Sequence, residues 1–400
     1  MAGCSRAGQT KPLTLGEVLR AALPQFSKTH RLPTHHWKVL RAIAACHTAA
    51  LGGHRYRCTH CGTEHFVAHS CGNRHCPTCH QLESAQWLER QLEHLLPVPY
   101  FHAVFTLPHD FNPLIQHNQP LLYNLLFTAA TATLLEFGRK NLKATLGITA
   151  VLHTWSQNLL DHYHLHCVVT GGGVSLDGQS WVARSPKWLF PVQALSEVFR
   201  AKFRDGLLNL FKENKLQFPA SQPTLSQPAA FVRWLHQACR PKWVVYTKRP
   251  FAGAKAVLAY LCRYTHRVAI SNRRIEALDP ERGTVTFSYK DYAHGSQIRS
   301  MTLQLEEFVR RFCLHILPER FVKIRNYGLL SNRGRATQIA KARSLLAQVV
   351  PTADQRAFEE SLKIEPVEPP PLVCPNCGRA TLELIEVVDR PKTLPAFDSS

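Results

Sequence analysis

The stretch His164-Leu165-His166-Cys167-Val168-Val169 constrains this chain more than any other. As a β-strand it sends His164 and His166 to one face and Leu165, Cys167 and Val169 to the other, because side chains two apart project the same way. One face is then apolar enough to be core, while the opposite face carries two imidazoles on a rigid element. The chain therefore needs a sheet covered on one side and used for polar work on the other. Paired imidazoles begin a divalent-metal site. The same short pattern also serves surface or hydrogen-bonded histidines.

A second stretch, Tyr260-Leu261-Cys262-Arg263-Tyr264, lies in a run with helical character over 253–266. Tyr260 and Tyr264 stand at i and i+4, so both hydroxyls leave one helix face. Val257, Leu258, Leu261 and Thr265 make an apolar face beside them, and Arg263 and Arg267 flank the tyrosines. Alone, this reads equally as an aromatic pair at a core edge. Together, the two stretches resemble the HUH nuclease superfamily, with histidine, bulky apolar residue and histidine for a metal and one or two helix tyrosines as nucleophiles. Further segments narrow the resemblance. Val104-Phe105-Thr106-Leu107-Pro108, Leu152-His153-Thr154-Trp155, Gly171-Gly172-Gly173, Arg263 through Ser271 and Arg325-Asn326-Tyr327-Gly328-Leu329-Leu330 occur in that order. With the N-terminal cysteines, the chain resembles the insertion-sequence-ninety-one family of rolling-circle transposases over roughly residues 15 to 380.

The resemblance implies an α+β fold with a five-stranded antiparallel sheet, related to the ferredoxin-like and RNA-recognition folds. The histidine strand is central and the tyrosine helix crosses it. It implies Mg or Mn held by His164 and His166, with His153 first, Gln157 second and Asp161 third in line as a further ligand. Tyr260 and Tyr264 become the nucleophiles, Arg263 and Arg267 bind DNA, and the partners are single-stranded DNA at element ends and target DNA. A plasmid replication initiator or relaxase would share this chemistry. A non-catalytic zinc-dependent DNA-binding regulator would explain charge and cysteines but not the histidines and tyrosines.

Composition agrees with a polyanionic partner. Lys and Arg number 48 against 28 Asp and Glu, for a net charge of +20. Nucleic acid is the commonest partner of so basic a chain, and a ribosome-associated or membrane-surface protein is the alternative. The start has no apolar h-region, and no later run is expected to approach a membrane span, so the expected location is cytoplasmic with no membrane partner. The 13 cysteines then point to metal rather than disulfides. Cys58-x-x-Cys61 and Cys76-x-x-Cys79 can supply four thiolates to one structural zinc, with redox pairs as the alternative. Cys46, His54, Cys71 and His75 form either a second zinc site or free side chains. Cys374-x-x-Cys377 is half a site, completed from elsewhere in the chain, from another subunit, or a remnant. Arg55, Arg57, His60, His65 and Arg74 make the cysteine module basic, which predicts contact with DNA phosphates.

The expected domains are a helical and zinc-binding unit over 1–97, a catalytic unit over 98–348, a Pro-rich acidic linker over 349–372 and a C-terminal knuckle and tail over 373–400. Helices are expected at Leu15–Leu23, from Thr34 as N-cap to a stop at Gly52-Gly53, at Gln81–Leu96, at Leu114–Phe137 interrupted near Pro120, at Val192–Leu216 and at Leu303–Leu317. Strands are expected at Tyr100–Leu107, Ile148–Trp155, Tyr163–Val169 and Trp243–Thr247, with a hairpin joining Val268–Ala277 to Thr284–Tyr289. Gly171-Gly172-Gly173 reads as a flexible turn, Asp177-Gly178 as a hairpin turn and 217–228 as a loop.

Overall fold

A computed structural model of the chain describes residues 12–79, 93–184, 189–248, 257, 268–292, 294–350, 360 and 372–390. Tyr260, Tyr264, Arg263 and Arg267 lie outside the described residues, as do most of the helix expected at Gln81–Leu96 and most of the linker over 349–372. The described helices are α1 (Leu15–Thr29), α2 (Thr34–Ala44), α3 (Asn112–His117), α4 (Gln119–Phe137), α5 (Val192–Lys212), α6 (Pro228–Cys239), α7 (Leu305–Cys313) and α8 (Arg335–Ala347). The described strands are β1 (Gly53–Cys58), β2 (Glu64–Ala68), β3 (Tyr100–Thr106), β4 (Ala144–Trp155), β5 (Asp161–Ser175) and β6 (Trp181–Ala183), then β7 (Val245–Lys248), β8 (Ile275–Asp279), β9 (Thr284–Asp291), β10 (Gln297–Gln304), β11 (Ile324–Gly328) and β12 (Leu382–Val388).

The mixed α+β architecture is built on an antiparallel sheet in the order β11-β4-β5-β3-β7, with the short β6 added beside β5. The histidine strand is therefore central. Its apolar face does what the alternation requires. Leu165, Cys167 and Val169 join Phe101, Ala103 and Phe105 of β3 and Ile148, Ala150 and Leu152 of β4 in one buried cluster. Helices α3 to α6 cover that face with aromatic side chains. Phe199 packs against Phe105 at 5.0 Å and Trp243 at 5.3 Å between ring centroids, and Phe111 meets Phe203 at 5.5 Å. Such edge-to-face pairs contribute about 0.5–1.5 kcal/mol each beyond their burial.

Several local expectations are corrected. Gly171-Gly172-Gly173 is not a turn but the continuation of β5. The absence of side chains there lets neighbouring backbones close in, since a Cβ on Gly173 would lie 2.2 Å from the Thr145 carbonyl oxygen. Gln119–Leu142 is long and apolar enough to cross a membrane by length and composition alone, contrary to the expectation that no run would be. The structure uses it as a core helix, burying Leu122, Leu126, Phe127, Ala130 and Leu134. The break before it falls at Asn118, whose buried amide donates to the Leu114 and Gln217 carbonyls at 2.8 and 2.7 Å. Helix α2 has Pro33, not Thr34, at its N-cap and ends at Ala44, well before the glycines. Helix α6 and strand β10 were not expected.

A second antiparallel sheet, β10-β9-β8, shares a core with α7 and with the N-terminal helices. Val18, Leu19, Phe26 and Ile43 are buried with Ile270, Phe287, Phe308 and Phe312. A capping box between Thr14 and Glu17 starts α1, and the Leu15 amide donates to Asn272 Oδ1 at 3.0 Å. A third sheet, β12-β1-β2, places the C-terminal strand against β1.

The Arg325–Leu330 segment ends its strand at Gly328, which has φ +61. A Cβ there would stand 1.8 Å from the Leu146 carbonyl oxygen. Gly328→Ala should therefore cost about 2 kcal/mol or more, from left-handed strain plus the clash. A thermal melt should show the transition falling by about 2 °C or more; a Tm unchanged from the parent would contradict the clash.

Candidate active site and metal centres

The pairing of β4 with β5 sets His153 directly opposite His164 and Val151 opposite His166. Opposed residues in an antiparallel pair share a face, so all three imidazoles leave the side of the sheet away from the aromatic core. Their rings sit 5.3 Å (His153–His164), 4.5 Å (His153–His166) and 4.9 Å (His164–His166) apart. One ring nitrogen from each lies within 4.8 Å of the others. His153 and His166 are buried, and His164 is partly exposed. Trp155 stacks on His153 at 4.6 Å.

Two contacts orient the rings. His164 Nδ1 lies 2.8 Å from the His162 carbonyl oxygen, which makes that nitrogen the donor and turns Nε2 outward as a lone pair. His166 Nδ1 lies 2.9 Å from Nε2 of His102 on β3. For His166 to ligate through Nε2, its Nδ1–H must donate to His102, which must then be neutral. Burial, with nearby Lys248 adding to it, lowers the His102 pKa to about 4, so it is neutral near pH 7. His102 is thus placed to be the outer partner that a metal-ligating histidine usually has. Sequence reading missed it, although one histidine in the apolar run Tyr100–Phe105, on the face opposite Phe101, Ala103 and Phe105, was the available signal.

The imidazoles floor a cavity of about 510 Å³, lined also by Trp155, Ser156, Gln157, Asn158, His162 and Tyr289 through Tyr292. Its walls are braced from outside. Arg274 donates to the Gln157 carbonyl and, at 2.7 Å, to the Ser288 carbonyl. Arg311 donates to the Asn158 carbonyl at 3.1 Å. Asp291 faces the cavity, and the His294 imidazole bonded to it holds its carboxyl below the usual range. Gln157 also reaches the cavity. Asp161 does not join the imidazoles. Its carboxylate accepts from Tyr163 Oη at 2.8 Å and from Gln116 Nε2 at 2.5 Å. Three nitrogen donors around one point suit a divalent ion with open positions for oxygen ligands.

The cysteines fall differently from the expected grouping. Cys58, Cys61, Cys76 and Cys79 do not converge. Cys76 and Cys79 gather with Cys46 and Cys71, while Cys58 and Cys61 gather with Cys374 and Cys377. The reason is the path of the β1–β2 hairpin, which carries Cys58 and Cys61 to the far end of the ribbon. Helix α2 and the loop after β2 bring Cys46 and Cys71 to the second pair instead. His54 and His75 belong to neither cluster.

The basic residues expected at DNA phosphates are partly committed elsewhere. Arg57 pairs with Glu64 at 2.6 Å and Arg55 with Glu386 at 3.2 Å. Arg74 donates to the Phe321 and Pro318 carbonyls at 2.6 and 2.7 Å. Arg325 packs over Phe127 at 4.2 Å and donates to Asn124 Oδ1 at 2.7 Å.

The chain matches a family model described as "Putative transposase" over residues 147–337 and one described as "Transposase zinc-binding domain" over residues 18–107. It is 44% identical over 379 residues to "Putative transposase y4qJ" of Sinorhizobium fredii (strain NBRC 101917 / NGR234), an alignment covering 94% of this chain and 93% of the relative. It is 29% identical over 346 residues to "Transposase for insertion sequence element IS801" of Pseudomonas savastanoi pv. phaseolicola, covering 84% and 80%. No solved structure matches the chain.

The His102 contact yields a test. His102→Phe keeps a ring in the buried slot and deletes the acceptor for His166 Nδ1. Mn²⁺ affinity, read by calorimetric titration, should fall about 10–100-fold with circular dichroism unchanged. Undiminished affinity would remove His102 from the site.

Proposed function

Because the chain belongs to the insertion-sequence-ninety-one family of transposases, we propose that it nicks and rejoins single-stranded DNA at element ends through a 5′-phosphotyrosine, in rolling-circle transposition. The observation that carries this reading is the convergence of His153, His164 and His166 at the floor of a nucleotide-scale cavity. A DNA-binding regulator has no use for three imidazoles aimed at one point. The names of the relatives favour a transposase over a plasmid initiator or relaxase with the same chemistry.

The three histidines would hold Mg²⁺ or Mn²⁺. When bound, the ion supplies positive charge beside the non-bridging and leaving oxygens of the scissile phosphate. His102 keeps His166 in the ligating tautomer, and the His162 carbonyl does the same for His164. The walls at Ser156–Asn158 and Tyr289–Tyr292 confine the phosphate and limit water. Tyr260 and Tyr264, whose roles rest on helical spacing and family resemblance, are the nucleophiles. One tyrosine oxygen bonds to phosphorus, the bond to the 3′ oxygen breaks, and that oxygen leaves as a 3′-OH after taking a proton. A free tyrosine has a pKa of about 10, so Arg263 and Arg267 beside it favour the phenolate. The phosphodiester energy stays in the protein–DNA ester. A later 3′-OH can therefore attack that ester and restore the tyrosine without ATP. Two tyrosines allow one cut to start strand displacement and another to end it.

Phenylalanine at both positions tests chemistry rather than packing. Tyr260→Phe, Tyr264→Phe protein should bind single-stranded element ends and Mn²⁺ as the parent does but form no covalent adduct on denaturing gels. Peptide mass spectrometry of the parent should find the nucleotide on Tyr260 or Tyr264. An adduct on any other residue would refute the assignment.

Binding of single-stranded DNA should also weaken steeply with salt, with log affinity falling by about 0.7 per neutralised phosphate against log salt concentration. A flat salt profile would count against phosphate contacts as the source of affinity.

A further inference from the structure

The C-terminal cysteines lie outside both matched segments, 18–107 and 147–337. The fold nevertheless brings them to the N-terminal pair. Cys58 Sγ is 3.6 Å from Cys377 Sγ across 319 residues of chain, and Cys61 Sγ is 3.7 Å from Cys374 Sγ across 313. Four sulfurs each about 2.3 Å from a tetrahedral zinc stand about 3.8 Å from one another. The separate Cys46, Cys71, Cys76 and Cys79 cluster shows the same spacing, at 3.5 to 3.7 Å. Bonded sulfurs in a disulfide would be about 2.05 Å apart.

The backbone repeats the motif at both ends. In Cys58-Thr-His-Cys61-Gly62, the Gly62 amide donates to the Cys58 carbonyl at 2.8 Å, and the Cys58 amide donates to the Thr63 carbonyl at 3.0 Å. In Cys374-Pro-Asn-Cys377-Gly378, the Gly378 amide donates to the Cys374 carbonyl at 2.8 Å, and the Cys374 amide donates to the Arg379 carbonyl at 2.8 Å. Gly62 and Gly378 both take left-handed backbone, with φ +71 and +74. The two turns are therefore equivalent knuckles facing each other. Around the sulfurs stand further polar contacts. His65 Nε2 lies 3.2 Å from Cys374 Sγ, Thr381 Oγ1 lies 3.0 Å from Cys58 Sγ, and the Asn376 amide donates to Cys61 Sγ at 3.6 Å.

Among the described residues, the ribbon leaves much of its apolar surface in water. Phe66, Val67, Leu384, Ile385 and Val387 are exposed, while Cys58 and Cys374 are fully buried. Its ion pairs, Arg55–Glu386 and Arg57–Glu64, are surface pairs of a kind that contributes little to stability. Structural zinc in small modules contributes folding free energy outright, which suits a three-stranded sheet with its apolar side chains in water.

We propose that Cys58, Cys61, Cys374 and Cys377 hold a second structural zinc ion, with all four thiols deprotonated, which joins the two ends of the chain into one zinc ribbon. The first zinc belongs to Cys46, Cys71, Cys76 and Cys79. Nothing in this assignment depends on the transposase chemistry.

The test uses the full chain and elemental analysis of zinc. Cys374→Ser, Cys377→Ser protein should contain one zinc fewer than the parent. Cys58→Ser, Cys61→Ser protein should lose the same single equivalent, and the quadruple variant should lose no more, because the four residues share one ion. Cys377→His, which keeps a ligand, should retain the zinc and shift the cobalt-substituted spectrum from four-sulfur toward three-sulfur ligation, an effect that misfolding would not produce. Parental zinc content in the Cys374, Cys377 variant would overturn the proposal. So would additive loss in the quadruple variant, or a Cys58–Cys377 disulfide in non-reducing peptide maps.

Discussion

The register between β4 and β5 is the constraint on which the site depends. Opposing His153 to His164 puts three imidazoles on one face. A slip of one residue would send His153 into the aromatic core and Leu152 into the cavity. The apolar face prevents that slip. Ala150, Leu152, Leu165 and Cys167 are all buried against helices α3 to α6. The upper half of the ladder adds a second lock. Gly173 lies so close to Thr145 that only glycine fits. Between the Leu146–Gly173 and Ile148–Val169 pairs, β5 carries two more residues than β4, a bulge that divides the ladder in two. Core packing on one side thus determines ligand geometry on the other.

Crowding imidazoles in a partly buried place is unfavourable unless each is hydrogen-bonded and neutral. The structure supplies hydrogen-bond partners from its own backbone and from β3. The His162 carbonyl engages His164, and His102 engages His166. The low pKa of His102 keeps positive charge from settling beside His166. The same burial that makes the cluster costly makes it a ready ligand set.

Much of this was legible in the sequence because it is local. The two-residue period of His164–Val169 located the strand and both its faces, and proline near position 120 located the break between α3 and α4. His153 was the first choice for the further ligand that the family resemblance implies, because it stands on the neighbouring strand. What was not legible depends on contacts across the chain. Four thiolates need only meet in space, and spacing along the chain does not say which pairs meet. The nearest pairs, Cys58 with Cys61 and Cys76 with Cys79, were therefore grouped together and are parted by the hairpin. The three glycines at 171–173 carry a turn signature, but here glycine serves close backbone approach within a strand. His102 stayed hidden because its partner lies 64 residues away.

Side-chain contacts join the expected zinc-binding unit over 1–97 to the expected catalytic unit over 98–348. Asn272 receives the Leu15 amide and donates to Thr78 Oγ1 at 2.9 Å, so one side chain joins α1, the cysteine loop and the segment that enters β8. Arg74, between Cys71 and Cys76, holds the Pro318 and Phe321 carbonyls. That segment leads directly into Lys323, whose carbonyl accepts from the Leu152 amide at 3.1 Å and whose ammonium lies 5.3 Å from the centre of the Trp155 ring. Burial, with Arg74 adding to it, pushes Lys323 down to about 7. Trp155 in turn stacks on His153. The cysteine cluster that gathers the 71–79 loop therefore helps to place Arg74, and through two short steps the indole stacked on His153. A structural metal held by those cysteines would support the three-histidine site, because the loop it would organise reaches Trp155 of the cavity wall through Arg74 and the segment leading to Lys323.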